Sequence, residues 1–291
     1  MLTTLDHLIV GVRDLDAAAE QTAALLGRPA SWRGIHPGYG TANALFRVAN
    51  TYLELLTPAG EGAIGVELEK RLAERGEGLV GMAFGTDDAD QAAATLRAAG
   101  LPVLDPVPGS GRDEATGAER RWRNVLIAPE ASRGAWLFAI EHEDGADTLP
   151  LCEPACAREA AVAALDHVVV MSSDVDGTRR LYGDGLGLRL ALDRSFEERG
   201  ARILFFRVGG ATVEVGGRLG TEPDPEAPDR LWGLAWQVPD AGAAHARLAD
   251  AGFDLTDVRD GFKPGTRVFT VRGEPAGVAT LVIEPVGGLP K

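Results

Sequence analysis

Leu5-Asp6-His7-Leu8-Ile9-Val10 and Leu165-Asp166-His167-Val168-Val169-Val170 are two versions of one pattern, 160 positions apart. In each, an apolar run opens on Leu-Asp-His and leads to an acidic residue placed to cap a helix, Asp14 or Asp174. The same offset returns Phe46-Arg47-Val48 as Phe206-Arg207-Val208, and Glu54 of Tyr52-Leu53-Glu54 as Glu214 of Thr212-Val213-Glu214. Three landmarks at one spacing, with no gap between them, predict an internal duplication.

A fainter copy lies inside each half. Leu79–Phe84 and Leu231–Trp236 read as strands, followed by Ala-rich amphipathic runs that begin near Asp88 and Asp240. Gly27, Gly100, Gly187 and Gly252 stand where the four runs should stop. Short β-rich segments follow each run. Ala49-Asn50 and Gly209-Gly210 form two-residue hairpin loops, which pairs Arg47 with Tyr52 and Leu45 with Glu54. The expectation is an α+β chain of four βαβββ modules in two tandem pairs, with curled mixed sheets and helices outside. Residues 1–145 form the first domain (modules 5–58 and 79–143) and 146–160 a linker. Residues 161–291 form the second domain (modules 165–217 and 231–286).

The 291 residues carry 29 Lys and Arg against 43 Asp and Glu, a net charge of −14. That field disfavours nucleic acid as a partner. No apolar run is long enough to cross a membrane, and the N-terminus lacks the basic and apolar regions of a signal peptide, so a cytoplasmic protein is expected. Cys152 and Cys156 are read as incidental linker thiols. A glycine-rich phosphate loop or dinucleotide fingerprint is absent, so no nucleotide cofactor is expected. The anticipated partner is a small molecule, bound by a monomer or homodimer.

Four βαβββ modules in tandem pairs resemble the vicinal oxygen chelate superfamily: glyoxalase I, bleomycin-resistance proteins, fosfomycin-resistance enzymes and extradiol dioxygenases. His36-Pro37-Gly38-Tyr39-Gly40-Thr41, followed by Tyr52-Leu53-Glu54, is similar to its glyoxalase-like subfamily. The resemblance implies a cup formed by each pair of modules, where first and last strands offer ligands to a divalent metal that chelates vicinal oxygens. Carried over by position, the first-half metal ligands are His7, Glu54 and Glu141, with Gly81 where a ligand is missing. The second-half counterparts are His167, Glu214 and Glu284, with Gly233 at the gap. Such a set suits Zn, Ni, Mn or Fe.

The resemblance further implies Glu54 and Glu141 as catalytic carboxylates, with Arg47, His36, Tyr39 and Tyr52 as substrate-binding residues. Arg47 has two readings, an anion anchor or an ion pair that occupies Glu54, and Arg207 is expected to neutralise Glu214. The function expected is a divalent-metal-dependent enzyme, a lyase, isomerase or ring-opening enzyme more than an extradiol dioxygenase. The alternative is a metal-free protein that sequesters a drug or metabolite.

Overall fold

The computed structural model describes residues 1–144 and 149–287. In the first half, β1 (Thr4–Gly11), β2 (Trp32–His36), β3 (Thr41–Arg47), β4 (Tyr52–Pro58), β5 (Gly78–Gly85), β6 (Val107–Asp113), β7 (Glu119–Leu126) and β8 (Trp136–His142) make one sheet. It closes into a barrel in the order β1-β4-β3-β2-β6-β7-β8-β5. The second half contributes β9 (Ala164–Met171), β10 (Arg189–Phe196), β11 (Ala201–Val208), β12 (Ala211–Arg218), β13 (Arg230–Gln237), β14 (Arg259–Asp260), β15 (Arg267–Val271) and β16 (Ala279–Glu284). These form an open eight-stranded sheet in the order β10-β11-β12-β9-β13-β16-β15-β14. The architecture is α+β, as the duplication implies.

The repeat is visible in the ladders. β1 runs parallel to β4 with Ile9 opposite Glu54, and β9 runs parallel to β12 with Val169 opposite Glu214. The hairpin register read from the turn residues holds, with Arg47 opposite Tyr52 and Leu45 opposite Glu54.

Helices follow the acidic caps. Asp14 accepts from the Ala17 N–H and opens α1 (Leu15–Leu26), which ends on Gly27 in the left-handed region at φ 65°. Asp88 opens α3 (Ala89–Ala98), Asp174 opens the short α4 (Val175–Arg179), and Asp240 opens α5 (Ala241–Asp250). One helix has no counterpart in the sequence reading. α2 (Ala63–Arg75) follows β4, starts at Gly62 without a side-chain cap, and lays Leu68 and Leu72 against Ile9, Leu56 and Trp122. Its apolar face closes over the barrel interior, which the open second sheet lacks.

A shared core joins the halves, with Leu5, Phe46 and Phe84 of the first and Phe206, Trp236 and Phe269 of the second in one cluster. Asn50 reads the backbone of Leu165 in both directions, donating to its carbonyl at 2.8 Å and accepting from its N–H at 2.9 Å. Arg247 of α5 donates to the Ala24 and Leu25 carbonyls in the last turn of α1, where a cation is favoured by the helix dipole. Between the sheets, the only regular turn is 3₁₀, at Arg158–Ala160, among the described residues.

Candidate functional site

The barrel interior holds a cavity of about 850 Å³. Strand alternation puts His7 and Ile9 of β1, Tyr52 and Glu54 of β4, and Asn43 and Leu45 of β3 on its wall. At its centre is a short polar chain. Asp6 Oδ1 lies 2.7 Å from His7 Nδ1, and His7 Nε2 lies 3.5 Å from Glu54 Oε2. The other Glu54 oxygen accepts from Asn43 Nδ2 at 2.7 Å, and the same amide nitrogen is 3.2 Å from His36 Nε2. His36 Nδ1 then meets Thr41 Oγ1 at 3.0 Å. His7 is stacked on Tyr52, their ring centroids 4.6 Å apart, which fixes the imidazole plane.

Asp6 also receives His142, whose Nε2 lies 3.0 Å from Oδ2. Burial works to raise the Asp6 carboxyl, but the hydrogen bonds from His142 and His7 outweigh it and hold the group well below the usual carboxylate range. An ionised Asp6 accepts at Nδ1 of His7, so Nε2 is the nitrogen turned toward Glu54. Burial lowers His36, with the Arg120 charge acting in the same direction, and so favours its neutral form. Burial likewise raises the phenols of Tyr39 and Tyr52.

Of the residues expected at the site, His7, Glu54, His36, Tyr39 and Tyr52 line this cavity. Glu141 does not. Its carboxylate accepts from the Ala89 N–H at 2.9 Å at the start of α3 and lies 3.5 Å from Arg123. In the second half Glu284 does the same, accepting from the Ala241 N–H of α5 at 2.9 Å beside Arg267. Both glutamates are helix-capping groups on the outer face. The ladders explain the correction: Glu54 stands opposite Ile9 on the neighbouring parallel strand, and Phe138 stands in that relation to Ala83. The last-strand ligand place therefore holds Phe138, and by the same relation Leu281 beside Ala235 in the second half.

Gly81 does not leave open space. A Cβ there would come within 2.8 Å of the Trp136 Cβ, so the glycine makes room for a tryptophan.

Arg47 is not on the cavity wall; its guanidinium donates to the Leu149 carbonyl at 3.1 Å. Arg207 does not neutralise Glu214 either. It is exposed and donates to Thr212 Oγ1 at 2.7 Å.

Among the described residues no three His, Cys, Asp or Glu side chains gather as a metal site. His7 and Glu54 supply one nitrogen and one carboxylate, the amide hydrogens of Asn43 already occupy one oxygen of that carboxylate, and the two remaining family places are Gly81 and Phe138. This donor set does not fit a tightly held divalent ion.

The sequence reading missed Asp6, Asn43 and, on β7, Arg120 and Asn124, while Trp122 was expected in the core or lining a pocket. Arg120, Trp122 and Asn124 are buried and line the cavity, while Arg121 and Arg123 between them face outward to Asp144, Asp90 and Glu141. The period-two alternation Arg-x-Trp-x-Asn was the available signal. The Arg120 guanidinium lies 5.6 Å from the Trp32 ring and 5.7 Å from the Tyr52 ring.

Residues 5–163 match a family described as the glyoxalase-like domain, and residues 166–270 match the glyoxalase/bleomycin resistance protein/dioxygenase superfamily. An ethylmalonyl-CoA/methylmalonyl-CoA epimerase of Cereibacter sphaeroides is 35% identical over 112 residues, 38% of this chain and 78% of that protein. Among solved structures, a mutant 4-hydroxymandelate synthase from Streptomyces coelicolor is similar with a TM-score of 0.71 at 15% identity, covering 100% of this chain and 94% of that one. A hypothetical protein from Staphylococcus aureus is similar with a TM-score of 0.65 at 13% identity, covering 97% and 99%. These two structures share the fold. The chain belongs to the glyoxalase-like domain family of the vicinal oxygen chelate superfamily, with a match to that superfamily in each half.

Proposed function

We propose that the protein is a small-molecule enzyme of the isomerase or lyase type, and that the first-half barrel moves a proton on a substrate carbon next to an oxygen-bearing group. The observation that carries this is the chain Asp6–His7–Glu54 ending on the barrel cavity. With Nδ1 of His7 committed to Asp6, Nε2 and the Glu54 carboxylate face each other as two acceptors and can hold one proton between them. One of the two takes a proton from the substrate while the other returns it, which is general acid–base catalysis by a positioned pair. Asn43 steadies the carboxylate by donating to Oε1. The aromatic walls and α2 keep bulk water from the pair. No step here runs through a metal, since the donor set does not fit one. That the relative is an epimerase agrees with proton transfer at carbon.

The test is solvent exchange. In D₂O, with a panel of 2-hydroxy acids and 2-hydroxy ketones as probes, wild-type protein should exchange the carbon-bound proton of at least one member, read by proton NMR. Glu54→Gln should stop that exchange. Binding of probes without exchange would instead support the sequestering protein, and exchange that survives Glu54→Gln would reject the pair.

A further inference from the structure

The polar groups of β7 are not used by the relay, and they are buried in a way that asks for a ligand. Arg120 is 7% exposed, and among the described residues no carboxylate lies within ion-pair distance of it. The other arginine on the cavity wall, Arg71, is paired with Glu67 at 3.2 Å. Burying a guanidinium without an acid is costly, and the faces of Trp32 and Tyr52 compensate it only in part. Two amide oxygens in the cavity lining, Oδ1 of Asn124 on β7 and Oδ1 of Asn43 on β3, are buried with no donor among the described residues. Asn124 is 8% exposed and Asn43 is 2% exposed. A cavity with a cation that has no acid and two acceptors that have no donor among the described residues is complementary to an anion that also carries hydroxyl or N–H donors.

We propose that Arg120 anchors a carboxylate of the substrate and that Asn124 accepts a hydrogen bond from a hydroxyl or N–H on the same molecule, so that the ligand is a small hydroxylated carboxylic acid with a flat body. The guanidinium presents a planar fork suited to a carboxylate. Trp122, His36 and Tyr39 meet edge to face near it, with centroids 5.5 Å and 5.9 Å apart, and form walls for a planar group. Tyr52 links the anchor to the relay, since its ring lies 5.7 Å from the Arg120 guanidinium and stacks on His7. An acid held at Arg120 occupies the same cavity that His7 and Glu54 line. This inference rests on the barrel being the substrate site and extends it to the substrate class.

The probes are 4-hydroxybenzoate, its neutral match 4-hydroxybenzyl alcohol, and benzoate, titrated calorimetrically into the full chain. Wild-type protein should bind 4-hydroxybenzoate at least about tenfold more tightly than the alcohol, the scale of a charge-assisted hydrogen-bonded pair. Arg120→Gln should erase that preference and Arg120→Lys should keep part of it. Asn124→Leu should erase the preference for 4-hydroxybenzoate over benzoate. The wild-type comparison needs no variant, so misfolding of Arg120→Gln does not shelter the claim. Equal affinity for acid and alcohol, no binding of the acid up to about 10 mM, or a preference that persists in Arg120→Gln would overturn it. Acid preference in the wild type without carbon-proton exchange would reject the relay and keep the anchor, and exchange without acid preference would reject the anchor and keep the relay.

Discussion

The two halves carry the same relay in different surroundings. Asp166 lies 2.7 Å from His167, whose Nε2 lies 3.7 Å from Glu214, and Gln237 takes the place on the aspartate that His142 takes in the first half. Around that copy the cavity is smaller, about 520 Å³, lined by Val169, Met171, Glu214 and Trp232. The first barrel closes because β2 bonds to β6, with Gly34 opposite Asp113. A Cβ at residue 34 would sit 2.4 Å from the Arg112 carbonyl, so only glycine allows that approach. The repeat places Arg194 at the equivalent position. There β10 and β14 remain sheet edges, although the Phe196 and Phe262 rings meet at 5.4 Å. Trp32 is 6% exposed where its counterpart Leu192 is 47% exposed. His36 and Asn43 correspond to Phe196 and Ile203, so Glu214 has no amide donor among the described residues, and burial raises its carboxyl. Duplication copied the Asp–His–Glu residues proposed to move the proton, whereas the closed barrel and the second layer of polar contacts exist in one half.

The largest effect expected from this contrast is on activity. His7→Ala or Glu54→Gln should lower proton exchange by about 10²- to 10⁴-fold, the range for a removed acid or base. His167→Ala and Glu214→Gln should leave it within about twofold, and a comparable loss in both halves would break the contrast.

The next largest concerns Asp6. Its carboxyl is depressed in the folded state, so the stability it contributes is present above the ordinary carboxylate pKa of about 4 and is lost as pH falls below that value. Asp6→Asn should cost about 2 kcal/mol at pH 7 and flatten the acid limb of the stability profile, measured by urea melts between about pH 3 and 7.

Glu141→Ala and Glu284→Ala should each cost about 1 kcal/mol as lost helix caps, with proton exchange retained. Urea melts check the cost. Unequal costs would show that the two capping glutamates are not equivalent. The smallest expected change is in Ile203→Asn, which offers Glu214 the donor that Glu54 has. Its carboxyl should titrate at lower pH than in the wild type, seen by carbon-13 NMR.

The repeat, the hairpin register and the acidic helix caps were legible because each depends on local chemistry or on spacing along the chain. His7 and Glu54 were legible for the same reason, since duplication preserved them with their spacing. Glu141 and Glu284 misled because a glutamate ending an apolar strand looks alike whether it points inward or outward. Its face is set by the β5–β8 and β13–β16 registers, and those depend on pairing across the chain. Arg120 was hidden among Arg121 and Arg123, and only the inward phase of β7 separates it from them. α2 offered no side-chain cap at Gly62, and so no starting signal. The closure at Gly34 is a contact between strands about 80 residues apart in sequence, beyond the reach of local pattern.

The proposed site places the ligand in the closed barrel of the first half and not on the open sheet of the second. The chain has five histidines, and imidazole nitrogen NMR reports each of them separately. Titration with 4-hydroxybenzoate should move the His7 and His36 resonances, while His167 and His245 stay where they are. Movement of His167 with His7 and His36 unmoved would place the ligand in the second half and contradict the account.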